Sequence, residues 1–203
     1  MKPFSAFNLL CLPCAGASAS MYLRWNRLLP DWLNVVPLEL PGRGTRLEQP
    51  SINDFTSQVD GLLHDYQDLL QTPFAIFGHS MGALLAYGMS QSMANKKLPM
   101  PATLLLSACS APHKLEPSKF PEPQNREALI ADLRRLGGTP EALFNSTDLL
   151  DMTLDILASD YQLLKGVSAQ AKIAVPIPIE ILAGRDDELE FSTMKAWKDC
   201  TTK

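Results

Sequence analysis

Apolar runs of strand length alternate along this chain with longer stretches whose apolar positions recur at helical spacing. Phe7 to Leu12 is the first run, Asn34 to Leu38 the second, Pro73 to Phe77 the third and Ala102 to Ser107 the fourth. Ser18 to Leu29 is expected to be a helix carrying Met21, Tyr22, Trp25 and Leu28 on one stripe. Pro41-Gly42-Arg43-Gly44 reads as a turn. Asn53 or Asp54 can cap a helix that turns Phe55, Val59, Leu62, Leu63, Tyr66, Leu69 and Leu70 inward. Helical spacing returns from Ala83 to Ala94. Strands alternating with helices predict an α/β fold: a mostly parallel sheet with helices on both faces.

After Ser107 the pattern changes. Pro112 to Pro123 holds four prolines and several charges, which marks a loop leaving the sheet. Helical spacing follows from Arg126 to Leu136, stopped by Gly137-Gly138, and again from Thr147 to Leu164. Ile177 to Leu182 returns to the sheet, Gly184-Arg185-Asp186-Asp187 closes that strand, and Phe191 to Cys200 is expected to be helical. Residues 1–203 therefore read as one domain with a helical insertion over about 112–175, placed to act as a lid. The plain alternative is a connecting helical pair.

Composition narrows this picture slightly. A chain of 203 residues, 46% apolar, builds one sizeable core rather than two. A net charge of -4 gives no footprint for nucleic acid. No apolar run approaches the ~18 residues of a membrane span, and Met1 to Phe4 does not open a secretory leader, so the cytoplasm is the expected location. Cys11 and Cys14 form C-x-x-C, but no second cysteine or histidine pair stands at zinc-ligand spacing. Cys11, Cys14, Cys109 and Cys200 are expected to be free, and no metal is expected.

The chemistry concentrates at Gly78-His79-Ser80-Met81-Gly82, a G-x-S-x-G pentapeptide between an apolar strand and an apolar helix. That context is a nucleophile elbow, whose turn is so tight that glycine is needed on both sides while the serine hydroxyl stands free. Ser80 is thus the expected nucleophile, and the plain alternative is a serine that only caps a helix. A serine nucleophile needs a base, and a carboxylate to orient that base. The spacing from Gly184 selects Asp187 as the acid, with Asp186 second; the plain alternative is that both only cap the helix that follows. The amide of Met81 and one from the loop after the first strand, Ala15, are the expected oxyanion donors. The histidines are His64, His79 and His113, and none follows Asp187 as the hydrolase order requires. His113, at the start of the proline-rich loop, is the secondary candidate for the base. The C-terminal part of the fold is therefore expected to be missing and the histidine to lie beyond Lys203.

Several segments carry a family resemblance. Leu12-Pro13-Cys14-Ala15-Gly16-Ala17-Ser18 with Trp25, Leu40-Pro41-Gly42-Arg43-Gly44-Thr45-Arg46, the elbow, Ser110-Ala111-Pro112-His113, Leu133 to Pro140, Ala158-Ser159-Asp160-Tyr161 and Gly184 to Asp187 with Trp197 occur in this order. Together they resemble the type II (external, editing) thioesterases of nonribosomal peptide and polyketide synthesis, members of the α/β-hydrolase superfamily. Cys14 and Ala17 stand where that family often has an aromatic residue and a glycine, and its G-G-H segment is not found.

The resemblance implies a serine thioesterase that removes acyl groups from the phosphopantetheine arm of acyl or peptidyl carrier proteins. It implies no cofactor of its own, no nucleic-acid or membrane partner, and a monomer. Arg134 and Arg135 are candidates to meet an acidic carrier protein, and the plain alternative is that both are ordinary solvated charges. Alternatives that remain open are a medium-chain acyl thioesterase serving a fatty-acid synthase, a general esterase, and a carrier-binding remnant without catalysis.

Overall fold

The structure, a computed structural model, describes residues 7–167 and 173–203. Residues 168–172, near the far end of the expected insertion, and the Met1 to Phe4 stretch lie outside the described residues. Five parallel strands, β1 (Phe7–Leu12), β2 (Leu33–Pro37), β3 (Phe74–His79), β4 (Leu104–Ser107) and β5 (Ile179–Leu182), form one sheet in the order β2-β1-β3-β4-β5. The central strands are buried on both faces, so their residues form continuous apolar runs rather than an alternating pattern.

The two faces are closed differently. Leu10, Leu12, Ile76, Leu104 and Leu106 point to one core, shared with α1 (Phe55–Asp65) and α2 (Met81–Lys96). That core also takes α3 (Arg126–Leu136), α5 (Thr147–Lys165) and Trp197, whose ring meets Tyr87 edge-on at 5.2 Å. Leu9, Cys11, Ala75 and Phe77 point the other way, against Tyr22 and Trp25. Tyr22, Trp25 and Phe77 pack edge to face, with centroids 5.0–5.8 Å apart.

That second face corrects one expectation. Ser18 to Leu29 is not a helix but two 3-10 turns, Ala19–Tyr22 and Trp25–Arg27. Met21 and Leu28 are consequently exposed, while Tyr22 is buried. The anchor is the Tyr22 hydroxyl, which donates to the Leu12 carbonyl at 2.8 Å. A regular helix would present a continuous stripe, whereas the short turns drop Tyr22 and Trp25 onto Phe77. Two further elements are shorter than the spacing suggests. The helix after Asp54 ends at Asp65 and continues as a 3-10 turn, and α6 (Phe191–Lys195) passes into a 3-10 turn over Ala196–Cys200. Asp54 is the cap, accepting from the Ser57 amide at 2.7 Å.

Between β4 and β5 the chain leaves the sheet through two 3-10 turns, then α3, a single turn α4 (Glu141–Phe144) and α5. Asn125 caps α3 by accepting from the Ala128 amide at 3.0 Å. Among the described residues no helix is long and apolar enough to cross a membrane, and no group of three His, Cys, Asp or Glu side chains could hold a metal ion. The cysteines are free.

Candidate active site

β3 runs apolar from Phe74 to Phe77 and then meets Gly78, where the backbone has no room for a side chain. A Cβ at Gly78 would lie 2.2 Å from the Gly82 carbonyl oxygen, and one at Gly82 would lie 2.2 Å from the Leu12 carbonyl oxygen. Both distances are far below contact, so glycine is required at each position for the strand to turn at once into α2. The second approach presses the start of α2 against the end of β1. Ser80 sits at the turn with φ 52° and ψ -113°, a conformation that L-residues rarely adopt. Its backbone is pinned on both sides: the Ser80 amide donates to the Ser107 carbonyl at 2.8 Å, and the Ala83 amide donates to the Ser80 carbonyl at 2.9 Å. The Ser80 side chain makes no capping hydrogen bond to α2, so its hydroxyl is not spent on the helix end.

Met81, the first residue of α2, is buried, and its amide belongs to the first turn of α2, where backbone donors have no partner within the helix. The loop after β1 brings Pro13 to Ala17 to the same edge of the sheet, since β1 and β3 are neighbours. Its half-buried Ala15 precedes Gly16, which has φ +75°. Asp187 lies in the loop after β5, half-buried, with Oδ1 accepting from the Leu189 amide at 3.0 Å. Asp186 is exposed. Ser80, Met81, Ala15 and Asp187 therefore all lie at or just beyond the C-terminal ends of β1, β3 and β5, where open α/β sheets bind ligands.

The histidines are differently placed. His64 is exposed on α1. His79 reaches toward β4, its Nδ1 3.1 Å from Ser107 Oγ. Burial holds its pKa below the ordinary histidine value, and the nearby Asp187 charge offsets this in part. His113 Nε2 lies 3.9 Å from an Asp199 carboxylate oxygen, against the segment after α6. Among the described residues, no hydrogen bond joins a histidine to Ser80 or Asp187.

The site is braced from the helical excursion. Asp160 on α5 accepts from the Gly16 amide at 2.8 Å and forms a two-pronged pair with Arg43 at 2.7 and 2.5 Å. Both motif segments are legible in the sequence, but their meeting is not. On the exposed side, Arg135 of α3 pairs with Glu188, next to Asp187, and with Asp132, which also accepts from the Tyr161 hydroxyl.

The sequence pattern of the thioesterase domain matches residues 7–203. The gramicidin S biosynthesis protein GrsT of Aneurinibacillus migulanus is 28% identical over 201 residues, covering 97% of this chain and 77% of GrsT. The medium-chain S-acyl fatty acid synthase thioesterase of Homo sapiens is 28% identical over 206 residues, covering 99% of this chain and 77% of that protein. Among solved structures, the thioesterase RedJ from the prodiginine biosynthetic pathway of Streptomyces coelicolor superposes with a TM-score of 0.86 at 28% identity, over 97% of this chain and 78% of RedJ.

Proposed function

Because the chain belongs to the thioesterase domain family, we propose that it hydrolyses acyl thioesters carried on the phosphopantetheine arm of carrier proteins, editing or releasing intermediates of nonribosomal peptide or polyketide synthesis. The observation that carries this reading is the Ser80 backbone, held at φ 52° between two glycines that tolerate no Cβ. Strain of that kind is kept where a side chain must be presented rather than packed.

In the proposed reaction Ser80 Oγ attacks the thioester carbonyl carbon while a histidine base oriented by Asp187 takes the hydroxyl proton. The amides of Met81 and Ala15 stabilise the oxyanion. Collapse of the tetrahedral intermediate expels the pantetheine thiolate, which takes the proton back from the imidazole. Water then attacks the acyl-serine by the same route, giving a free acid and the free thiol arm. The reaction balances with water alone, so no metal or redox group is assigned. The insertion from Pro112 to α5 is assigned the role of cover over the acyl group.

The test is hydrolysis by the full-length protein of one acyl group presented on a carrier protein, on a small thiol and as an oxygen ester. Preference for the carrier-bound thioester, abolished by Ser80→Ala, is expected. Equal or better turnover of the oxygen ester would favour a general esterase. The human relative supports a second reading, release of medium-chain fatty acids; a sharp optimum at medium acyl length with a fatty-acid carrier would favour it.

A further inference from the structure

The loop that carries Ala15 is held by a buried clamp whose parts come from three separate elements. Asp160 Oδ2 accepts from the Gly16 amide at 2.8 Å and from Arg43 Nη1 at 2.7 Å, while Oδ1 accepts from Arg43 Nη2 at 2.5 Å. Arg43 Nη1 also donates to the Ala17 carbonyl at 3.2 Å. The carboxylate and guanidinium thus grip the Gly16 N–H and the Ala17 C=O, fixing the loop on both sides of the Gly16–Ala17 pair. Arg43 and Asp160 are 3% and 1% exposed, so neither bond competes with water. One turn before Asp160, on the same face of α5, the fully buried Leu157 lies against Gly16, with Cδ1 3.3 Å from where a Cβ would be. Gly16 has φ +75°, so it turns there without strain.

We infer that Asp160 is a positioning residue for the oxyanion hole: by holding the Gly16 amide it fixes the neighbouring peptide and aims the Ala15 N–H. This rests on the assignment of Ala15 as the second oxyanion donor. Oxyanion donors act through preorganisation, and a displacement of ~1 Å at a reacting centre can cost on the order of 10²-fold in rate. It follows that α5 is a fixed wall of the site. Any opening of the helical excursion is confined to the segment before it, because moving α5 would release the loop.

A merely structural ion pair predicts something different. Arg43→Met combined with Asp160→Leu removes both charges together and leaves neither stranded, a replacement that folded proteins often tolerate. It also removes the acceptor for Gly16. Arg43→Met combined with Asp160→Asn leaves an amide oxygen that can still accept from Gly16. The readouts, in the full-length protein, are the rate of Ser80 labelling by a fluorophosphonate, kcat and KM for a short acyl thioester, the pH profile and the melting temperature. Phosphonate labelling reports the oxyanion hole whether or not thioesters are the substrate, so it separates failure of this inference from failure of the proposed function.

The leucine pair is expected to lose roughly 10- to 100-fold in labelling and in kcat, with KM within about two-fold and no shift of the pH profile. The asparagine pair should recover most of that loss. Equal rates in the two pairs, or losses that follow melting temperature alone, would overturn the inference. If the leucine pair does not fold, Asp160→Glu serves: it keeps the charge but shifts the carboxylate by one methylene. A normal kcat in that variant would overturn the inference, and a reduced kcat with unchanged KM would support it.

Discussion

Arg43 and Asp160 lie 117 positions apart in sequence and meet as a buried, two-pronged ion pair. Each charge has left water, and only the partner and the loop carbonyl and amide between them offset that loss. The pair therefore ties the turn after β2 and helix α5 to the loop after β1. Asp160→Ala, which leaves Arg43 stranded, should cost about 3–5 kcal/mol of stability. A urea titration checks this; a change under ~1 kcal/mol would mean that water or another group reaches the guanidinium.

The elbow makes a prediction about strain. Ser80 holds φ 52° and ψ -113°, which costs a non-glycine residue roughly 1–3 kcal/mol. Ser80→Gly should be more stable than Ser80→Ala by about 1 kcal/mol after allowing for the greater freedom of unfolded glycine. Both variants should fail to label with a phosphonate. The opposite order in thermal unfolding would show that the elbow is relaxed.

Asp187 and Asp186 differ in setting. Asp187 is half-buried, with one carboxylate oxygen fixed by the Leu189 amide, whereas Asp186 faces solvent. In the full-length protein, Asp187→Asn should lower kcat/KM by ~10⁴-fold and Asp186→Asn by less than about ten-fold. Equal losses would reassign the acid.

Arg134 and Arg135, the candidates for docking a carrier protein, have contacts of their own while staying about half exposed. Arg134 lies 3.6 Å from a Glu141 carboxylate oxygen and 4.1 Å over the Phe144 ring, while Arg135 reaches Asp132 and Glu188. Since Glu188 adjoins Asp187, Arg135→Ala should slow a small thioester and a carrier-bound one alike, by roughly two- to ten-fold, an effect that added salt reproduces in the wild type. A loss confined to the carrier-bound substrate would support the docking role.

His79 gives a pH dependence of stability. Burial holds its folded pKa below the ordinary value, and the Asp187 charge only partly offsets this. Below about pH 6.5 the unfolded histidine takes up a proton that the folded one resists, so stability falls as pH drops from there through the folded pKa. His79→Gln should flatten that part of the profile, measured as urea midpoints between about pH 7 and pH 5. An unchanged slope would assign the acid sensitivity elsewhere.

The strands, the elbow and the helix after it follow from local sequence. Phe74 to Phe77 must be buried on both faces, Gly78 and Gly82 permit backbone approaches that no other residue could, and α2 is apolar on nearly every side. The caps at Asp54 and Asn125 are equally local. Such features depend on residues within a turn or two of each other, so their pattern is written in the order of the chain. Ser18 to Leu29 is different: its helical spacing is overruled by one hydroxyl reaching Leu12 and two rings packing edge to face on Phe77. Arg43 and Asp160 each stand in a recognisable segment, yet nothing in either shows that they share a buried bond or hold Gly16 between them. That pairing joins parts of the chain brought together only when the sheet closes and α5 packs over it. Tertiary packing decides it because exclusion of water makes the two charges require one another.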